Sequence, residues 1–296
     1  MLSVLIPIYN YDIRLLVNTI RNQLSDCDVK FEIICIDDCS DKSYSLINSE
    51  INTLSNTSHI ILSENIGRIA LRQALAEKAS YDWLLFLDAD VIPKSQHFIC
   101  NYTSLLPSEY DAIYGGFAYK SEQPKDDYML RWTYGTSNEQ VLASRRNKTP
   151  YKIVISANFL IKKAAFKRLN SQITQRGYGY DNYFGALLKS NEQKVFHIDN
   201  EVYHLGLEPN VSYLNKINQS IDTLLKLEVN KNIKDTENTL YNTYKSLKKL
   251  RLNYLFSWIY RVFKNRFSKN LLSKNPNISI LQFYKLSYIC YQDLNP

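Results

Sequence analysis

Leu85-Phe86-Leu87-Asp88-Ala89-Asp90-Val91-Ile92-Pro93 is an apolar run that breaks at two aspartates one residue apart. A run this short and apolar reads as a buried strand. Such strands rarely end in two bare carboxylates unless a cation or hydrogen-bond donors neutralise them. Two readings fit the pair. Asp88 and Asp90 hold a divalent metal and a nucleotide diphosphate, or they form a turn or helix cap just after a strand.

The segments on either side favour the first. Residues 3–8, SVLIPI, are another apolar run, closed by Pro7 and the polar Tyr9-Asn10. Residues 13–24 follow with helical spacing in Ile13, Leu16, Val17, Ile20 and Leu24, and residues 31–36 are a further strand ending in Asp37-Asp38-Cys39-Ser40. This β-α-β order predicts a parallel sheet, in which ligands bind at the carboxyl ends of the strands. Residues 59–62 add a strand, followed by Glu64-Asn65-Ile66-Gly67-Arg68 and a helix over 69–79. Arg68 and Arg72, four apart, share a face near that helix's positively polarised start, a place suited to phosphate; two solvated arginines are the other reading. Three strands thus deliver polar residues to one edge. A base and ribose need hydrogen-bonding carboxylates there, and a diphosphate needs a metal such as Mg2+ or Mn2+, which takes one or two protein carboxylates.

The middle of the chain reads less clearly. Residues 112–119, AIYGGFAY, are expected to be a strand loosened at Gly115-Gly116, residues 120–127 a loop and residues 129–144 a helix. Arg145-Arg146-Asn147-Lys148 reads as a solvated basic loop, with an acceptor-side patch as the alternative. Residues 153–156 look like a strand, and Ala157-Asn158-Phe159 leads into a helix over 163–169. In residues 177–185, GYGYDNYFG, Asp181 sits among aromatics just before a helix. That setting can desolvate a carboxylate and raise its basicity, as a general base requires, although an Asp at a helix start fits equally. Residues 195–206 hold His197 and His204. A lone histidine near a strand end is more often structural, but here a candidate metal is at hand.

Taken in order, LIPIYN, IDDCS, N-I-G-R before a helix, FLDAD, S-A-N-F, Y-D-N-Y-F-G and H-I-D-N-E-V-Y-H-L-G-L resemble the inverting family-2 glycosyltransferases with the GT-A fold, over residues 2–207. The resemblance implies an α/β fold, a Rossmann-like, mixed, mostly parallel sheet flanked by helices. It implies that Pro7, Tyr9 and Asp38 line the nucleobase pocket, and that Asn65, Gly67, Arg68 and Arg72 lie near ribose and diphosphate. Asp88 would face the ribose, Asp90 would ligate Mn2+ or Mg2+ with help from His204, Asp181 would be the catalytic base, and Asn158 would face the acceptor. The donor implied is a nucleotide sugar, UDP-sugar by family frequency, and the acceptor a hydroxyl of a glycan or lipid-linked sugar. One departure stands out: the family often carries Glu-Asp at the base motif, and here the Glu position is Tyr180.

Composition bounds the remaining choices. The chain has 296 residues with 45% apolar and 22% charged content, an ordinary globular balance that suits one α/β domain and an appendage. The expected division is residues 1–209 for the GT-A domain and 210–296 for a helical, basic and aromatic extension. No apolar run reaches the roughly 20 residues that span a bilayer. Met1 leads straight into a strand-like segment without a basic and apolar leader, so the protein is expected in the cytoplasm. Its five cysteines, with no C-x-x-C pair, are expected to be reduced.

The net charge of +7 is uneven. Residues 238–292 contain ten Lys and Arg and no Asp or Glu, so the remainder of the chain is slightly acidic. Leu247, Leu250, Tyr254, Leu255, Trp258, Ile259, Val262, Phe263 and Phe267 recur there at steps of three and four. An aromatic stripe with basic flanks is the composition of a helix on an anionic membrane surface, so residues 245–272 are a candidate peripheral contact with the inner face of the cell membrane. A helix packing its stripe on the catalytic domain fits as well. Nucleic acid fits less well, since no recognition motif accompanies the charge. Two rival functions stay open: a catalytically silent binding subunit, for which Tyr180 speaks, and a sugar-phosphate nucleotidyltransferase, which normally needs a glycine- and lysine-rich loop absent from residues 1–15. A glycosidase is a poorer fit, because hydrolysis usually uses two facing carboxyl groups and no nucleotide pocket.

Overall fold

The computed structural model describes residues 1–229 and 237–295. Residues 230–236, within the expected helical extension, lie outside the described residues, as does Pro296. In chain order the elements are β1 (Leu2–Ile8), α1 (Arg14–Ser25), β2 (Phe31–Asp37), α2 (Lys42–Asn48), β3 (Thr57–Ile61), α3 (Arg68–Lys78), β4 (Trp83–Leu87), β5 (Val91–Pro93), α4 (Phe98–Thr103), β6 (Ala112–Tyr114) and β7 (Phe117–Ala118). There follow α5 (Met129–Tyr134), α6 (Ala143–Arg146), β8 (Asn158–Lys162), α7 (Lys163–Asn170), α8 (Tyr180–Ser190), β9 (Val195–His197) and β10 (Val202–His204). The described elements after residue 209 are all helices: α9 (Asn210–Val229), α10 (Thr239–Lys249), α11 (Asn253–Leu271) and α12 (Ile278–Leu294).

Seven strands form one sheet in the order β3-β2-β1-β4-β8-β6-β9. β3, β2, β1 and β4 run parallel, and β8 is antiparallel to both its neighbours, β4 and β6. β1 and β4 are almost wholly buried because helices cover both faces of the sheet, which is why they read as continuous apolar runs and not as alternating ones. On one face α1 seals the core with Leu16, Val17, Ile20 and Leu24. On the other, Phe86 stacks on Phe159 at 5.0 Å and meets Phe166 at 4.5 Å, so β4, β8 and α7 share one aromatic contact. Burying a ring such as Phe86 contributes about 2–3 kcal/mol.

The middle of the chain departs from expectation at four points. First, residues 153–156 are not a strand. The strand is β8, which begins two residues after that segment and pairs from Asn158 with Leu87 of β4. Second, Asn158 does not face an acceptor: it is fully buried, accepts from the Tyr102 hydroxyl at 2.7 Å, and donates to the carbonyls of Gly116 and Asn200. Third, the expected helix over 129–144 breaks into α5, a π-helical turn at Gly135–Glu139 and the short α6. Gly135, at the start of the π-helical turn, sits where a Cβ would overlap the Tyr119 ring, so a glycine lets the two pass. Fourth, the four-residue basic stretch is solvated only in part: Arg145 and Lys148 are exposed, but Arg145 and Arg146 belong to α6 and Arg146 is buried. Arg146 is 1% exposed and donates to the carbonyls of Val141, Tyr114, Gly115 and Ile198 and to His197 Nδ1. Asn147 pairs both ways with the His197 backbone.

One cysteine expectation is also corrected. Cys27, just after α1, and Cys100, in α4, form a disulfide across 73 residues of chain, a separation from which sequence spacing says nothing about contact. Cys35, Cys39 and Cys290 are free.

Two predictions concern this core. Arg146→Met leaves several buried carbonyls unpaired, each costing about 1–3 kcal/mol, so the urea midpoint should fall by the equivalent of about 3 kcal/mol or more. His197 supplies a pH dependence. Burial pushes its pKa down to about 4, with the Arg146 charge adding to the effect and the Pro150 carbonyl opposing it. Unfolded, the imidazole titrates near its ordinary 6.5. Stability from this group is therefore complete above that value and is lost as pH falls towards 4, by up to about 3 kcal/mol. Urea midpoints of wild type and His197→Gln at neutral and mildly acidic pH check this. An equal acid loss in both proteins would assign the effect elsewhere.

Candidate functional site

The site begins at the carboxyl ends of β1, β2 and β4. Asp38 follows β2, is 3% exposed, and accepts from the backbone N–H groups of Ile66 (2.7 Å) and Gly67 (2.9 Å). These bonds fix the turn into α3, which Gly67 enters at φ 82°, a conformation that favours glycine. Asn65 donates to the Asp38 carbonyl at 3.1 Å. Asp37 turns inward instead, accepting from Ser40 N–H and the Ser45 hydroxyl.

Asp88, at the end of β4, takes both arginines of α3. Arg68 Nη2 reaches one carboxylate oxygen at 3.0 Å, and Arg72 Nη2 makes a close contact with the other. Both arginines also bond to Ser156, one through its hydroxyl and one through its carbonyl. The pair then divides. The Arg72 side chain is 7% exposed and lies behind Asp88, whereas that of Arg68 is 41% exposed. The Asp88 carboxylate is thereby spoken for by guanidinium groups.

Asp90 points elsewhere. β10 pairs with β5 so that His204 stands opposite Val91, the residue after Asp90. That register sets His204 Nε2 at 3.2 Å from Asp90 Oδ2. Burial opposes ionisation of Asp90, but His204 and Arg68 outweigh it and hold the carboxyl below its ordinary value. A Cβ at Gly206 would overlap Asp90 Oδ2, so glycine keeps that oxygen accessible. Behind His204, Arg131 lies 3.4 Å from Nδ1 and pairs with Glu139 at 2.9 Å.

Among the described residues no group of three or more His, Cys, Asp and Glu side chains could hold a metal. Asp90 and His204 do converge, and a two-donor set fits an ion that takes its remaining ligands from phosphate and water. Arginine only donates, so here Nδ1 accepts and Nε2 carries the proton. Coordination through Nε2 requires the opposite tautomer, with Arg131 keeping Glu139 alone.

Asp181 lies in the first turn of α8, entered through Gly179 at φ 96°. A Cβ on Gly179 would meet Ser220 at 2.6–2.9 Å, which brings α9 close behind this turn. Among the described residues no hydrogen bond or ion pair engages the Asp181 carboxylate. Beside it, burial pushes Tyr178 up to about 12, so its hydroxyl stays protonated. Tyr180 is buried, and its hydroxyl donates to Gln175 at 2.8 Å.

Three cavities connect these groups. Pro7, Tyr9, Asp38, Asn65, Gly67, Arg68, Asp88 and Asp90 line one of about 370 Å³, together with Tyr11, which residue spacing had not singled out. Arg68, Asp88, Asp90, Asp181 and His204 open onto a second, also about 370 Å³. Asp181 is shared with a third of about 550 Å³ that reaches Asn238, Gln282 and Lys285 in the helical region. Arg72 lines none of these three, but with Arg68 and Asp181 it borders a fourth, smaller cavity of about 50 Å³.

The sequence profile of Glycosyl transferase family 2 matches residues 3–169, more than half of the chain. The chain belongs to glycosyl transferase family 2. Its sheet and flanking helices have the GT-A form. The mannosyltransferase PcManGT from Pyrobaculum calidifontis, solved in complex with GDP-Man and Mn2+, is similar in fold at 11% identity and a TM-score of 0.52, over 76% of this chain and 64% of its own. Residues 1–349 of S. aureus TarS match at 16% identity and a TM-score of 0.49, over 76% of this chain and 65% of that one. The chain thus spans slightly under two thirds of the PcManGT chain and of TarS residues 1–349, and 39% of the longer TarS chain. No curated protein matches the sequence. The family match ends before Asp181 and His204, so their placement rests on this chain's own geometry.

The unequal burial of the two arginines makes a prediction. Arg72→Met leaves Asp88 short of its buried partner and should cost about 3 kcal/mol. Arg68→Met removes the exposed partner and should cost less than about 1 kcal/mol. Urea unfolding of the two variants, compared with wild type, checks the ranking.

Proposed function

We propose that this protein transfers a sugar from a nucleotide sugar, of the UDP-sugar class, to a hydroxyl of a glycan or lipid-linked acceptor, with inversion and with Mn2+ or Mg2+ bound. The observation that carries the reading is the single cavity onto which Asp90, His204 and Asp181 all open. Membership of the family and the GDP-Man and Mn2+ complex of a protein with the same fold support the donor class and a divalent ion.

The roles follow from position. Pro7, Tyr9, Asp38 and Asn65 line the cavity assigned to base and ribose. Asp90 and His204 are the residues that would hold the metal, which when bound supplies positive charge beside the departing diphosphate. Arg68 borders both cavities and offers a guanidinium to the same phosphates. Asp88 holds Arg68 in place. Asp181, whose carboxylate has no hydrogen-bond or ion-pair partner among the described residues, takes the proton from the acceptor hydroxyl. The freed oxygen bonds to the anomeric carbon from the face opposite the nucleotide, and the bond from that carbon to the diphosphate oxygen breaks. Its electron pair leaves with the nucleotide. Tyr180 does not weaken this reading, since its ring packs in the core and its hydroxyl donates to Gln175.

Calorimetric titration of UDP with and without Mn2+, combined with turnover of several UDP-sugars, tests the assignment. Asp181→Asn should keep manganese-dependent UDP binding and lose about 100-fold to 10,000-fold in kcat, the usual contribution of a general base. Asp90→Ala should lose the manganese dependence itself. Metal-dependent binding without turnover in the wild type would assign a silent binding subunit instead. UDP affinity indifferent to both Mn2+ and Asp90→Ala would sink the metal-diphosphate reading.

A further inference from the structure

The helical region leaves one face uncovered. Six of the fifteen large apolar side chains that stay exposed among the described residues fall within residues 250–262: Leu250, Leu252, Tyr254, Leu255, Trp258 and Val262. The clustering has a simple geometric basis. Tyr254, Trp258 and Val262 recur every fourth residue along α11 and so share one side of it. They are 63%, 55% and 52% exposed. The opposite side of α11 is occupied: Phe256 meets Phe283 at 5.4 Å, Tyr260 meets Tyr291 at 4.9 Å, and Phe267 packs edge-on to Tyr284. The aromatic stripe expected from sequence is therefore two faces, one packed on α12 and one bare.

What could cover the bare face is set by charge. Arg251, Arg261, Lys264, Arg266 and Lys269 surround it, all exposed and without an ion-pair partner among the described residues. No acid occurs anywhere in residues 238–292. A protein partner or a second copy of this chain would bring its own polar surface against these cations, and a second copy would bring the same positive charge. Four of the cations lie within α11, and no described helix is long and apolar enough to cross a membrane. A helix of this pattern lies along a bilayer surface, with its apolar ridge among the acyl chains and its cations at the headgroups.

We propose that the exposed Tyr254–Trp258–Val262 face of α11, with its basic rim, docks this protein on an anionic lipid bilayer. Each cation near such a surface strengthens binding, and the attraction is screened by salt. This interaction does not depend on the donor-site reading.

Co-sedimentation of the full chain with vesicles of phosphatidylcholine, with and without phosphatidylglycerol, tests it. Wild type should bind the phosphatidylglycerol vesicles, prefer them by at least about tenfold, and release at high salt. Trp258→Glu/Val262→Glu alters exposed positions only, so it should keep the wild-type melting temperature and lose at least about tenfold in vesicle binding. Arg261→Ser/Lys264→Ser/Arg266→Ser should abolish the preference for the anionic lipid. Asp90→Ala should bind vesicles as wild type does, which separates this test from any failure at the donor site. The proposal is overturned if wild type ignores the anionic vesicles, or if the glutamate variant binds them equally. A dimer in sedimentation velocity that the glutamate variant loses, without vesicle binding, would assign the face to a second copy and overturn it too.

Discussion

The site depends on one carboxylate held by two guanidinium groups. Asp88 ends β4, Arg68 and Arg72 begin α3, and Ser156 precedes β8, so a single cluster ties three segments that are distant in sequence. Its consequences reach beyond packing. Asp88 holds the Arg68 guanidinium at the wall of the cavity, where it can meet an anion. The cluster also separates the two aspartates of the D-A-D. Asp88 is consumed in positioning arginines, whereas Asp90, two residues on, pairs with His204 and lines the same cavities.

A second, three-stranded sheet runs in the order β5-β10-β7, and Asp90 would lack His204 if it were placed otherwise. β10 brings His204 to Asp90 through its register on β5, and β10 is located by contacts deep in the molecule. Asn158 bonds to Gly116 and Asn200, Asn200 bonds to Asn101 and the Phe98 carbonyl, and Arg146 gathers the carbonyls around the crossing from the seven-stranded sheet. Buried polar networks of this kind are costly when incomplete and rigid when satisfied. The geometry at Asp90 thus rests on residues that never approach it.

This arrangement explains which parts could be read from sequence. β1, β2, β4, α1 and α3 are built from local patterns, apolar runs and helical spacing, and the Asp and Arg residues at their ends follow from the parallel order alone. Arg146 and Asn158 offered no such signal, because a lone Arg in a basic stretch and a lone Asn before a strand look the same whether solvated or buried. The Cys27–Cys100 pairing, the Arg131–Glu139 pair behind His204 and the break at Gly135 are likewise contacts between distant segments. The opposed fates of Arg68 and Arg72 were equally hidden: their spacing of four places them on one helix face, but only the third dimension shows that one stands in front of Asp88 and the other behind it.

The helical region also bears on Asp181, and not only on the protein's outer surface. α12 contributes Gln282 and Lys285 to the cavity that Asp181 opens onto, and α9 contributes Tyr213, Ile217 and Ser220. Lys285 is pushed down to about 8 by burial, with Glu139 opposing the shift, and its ammonium lies 5.4 Å from the Tyr134 ring. Gly179, whose backbone aims Asp181, has room for no side chain because Ser220 of α9 occupies that space. The turn that presents Asp181 is therefore shaped from behind by a helix beyond the stretch that matches the family, and the cavity wall opposite is partly made of α12. A chain cut at residue 209 would keep every strand and the Asp88 cluster, but it would lose the surface against which the Asp181 turn is set.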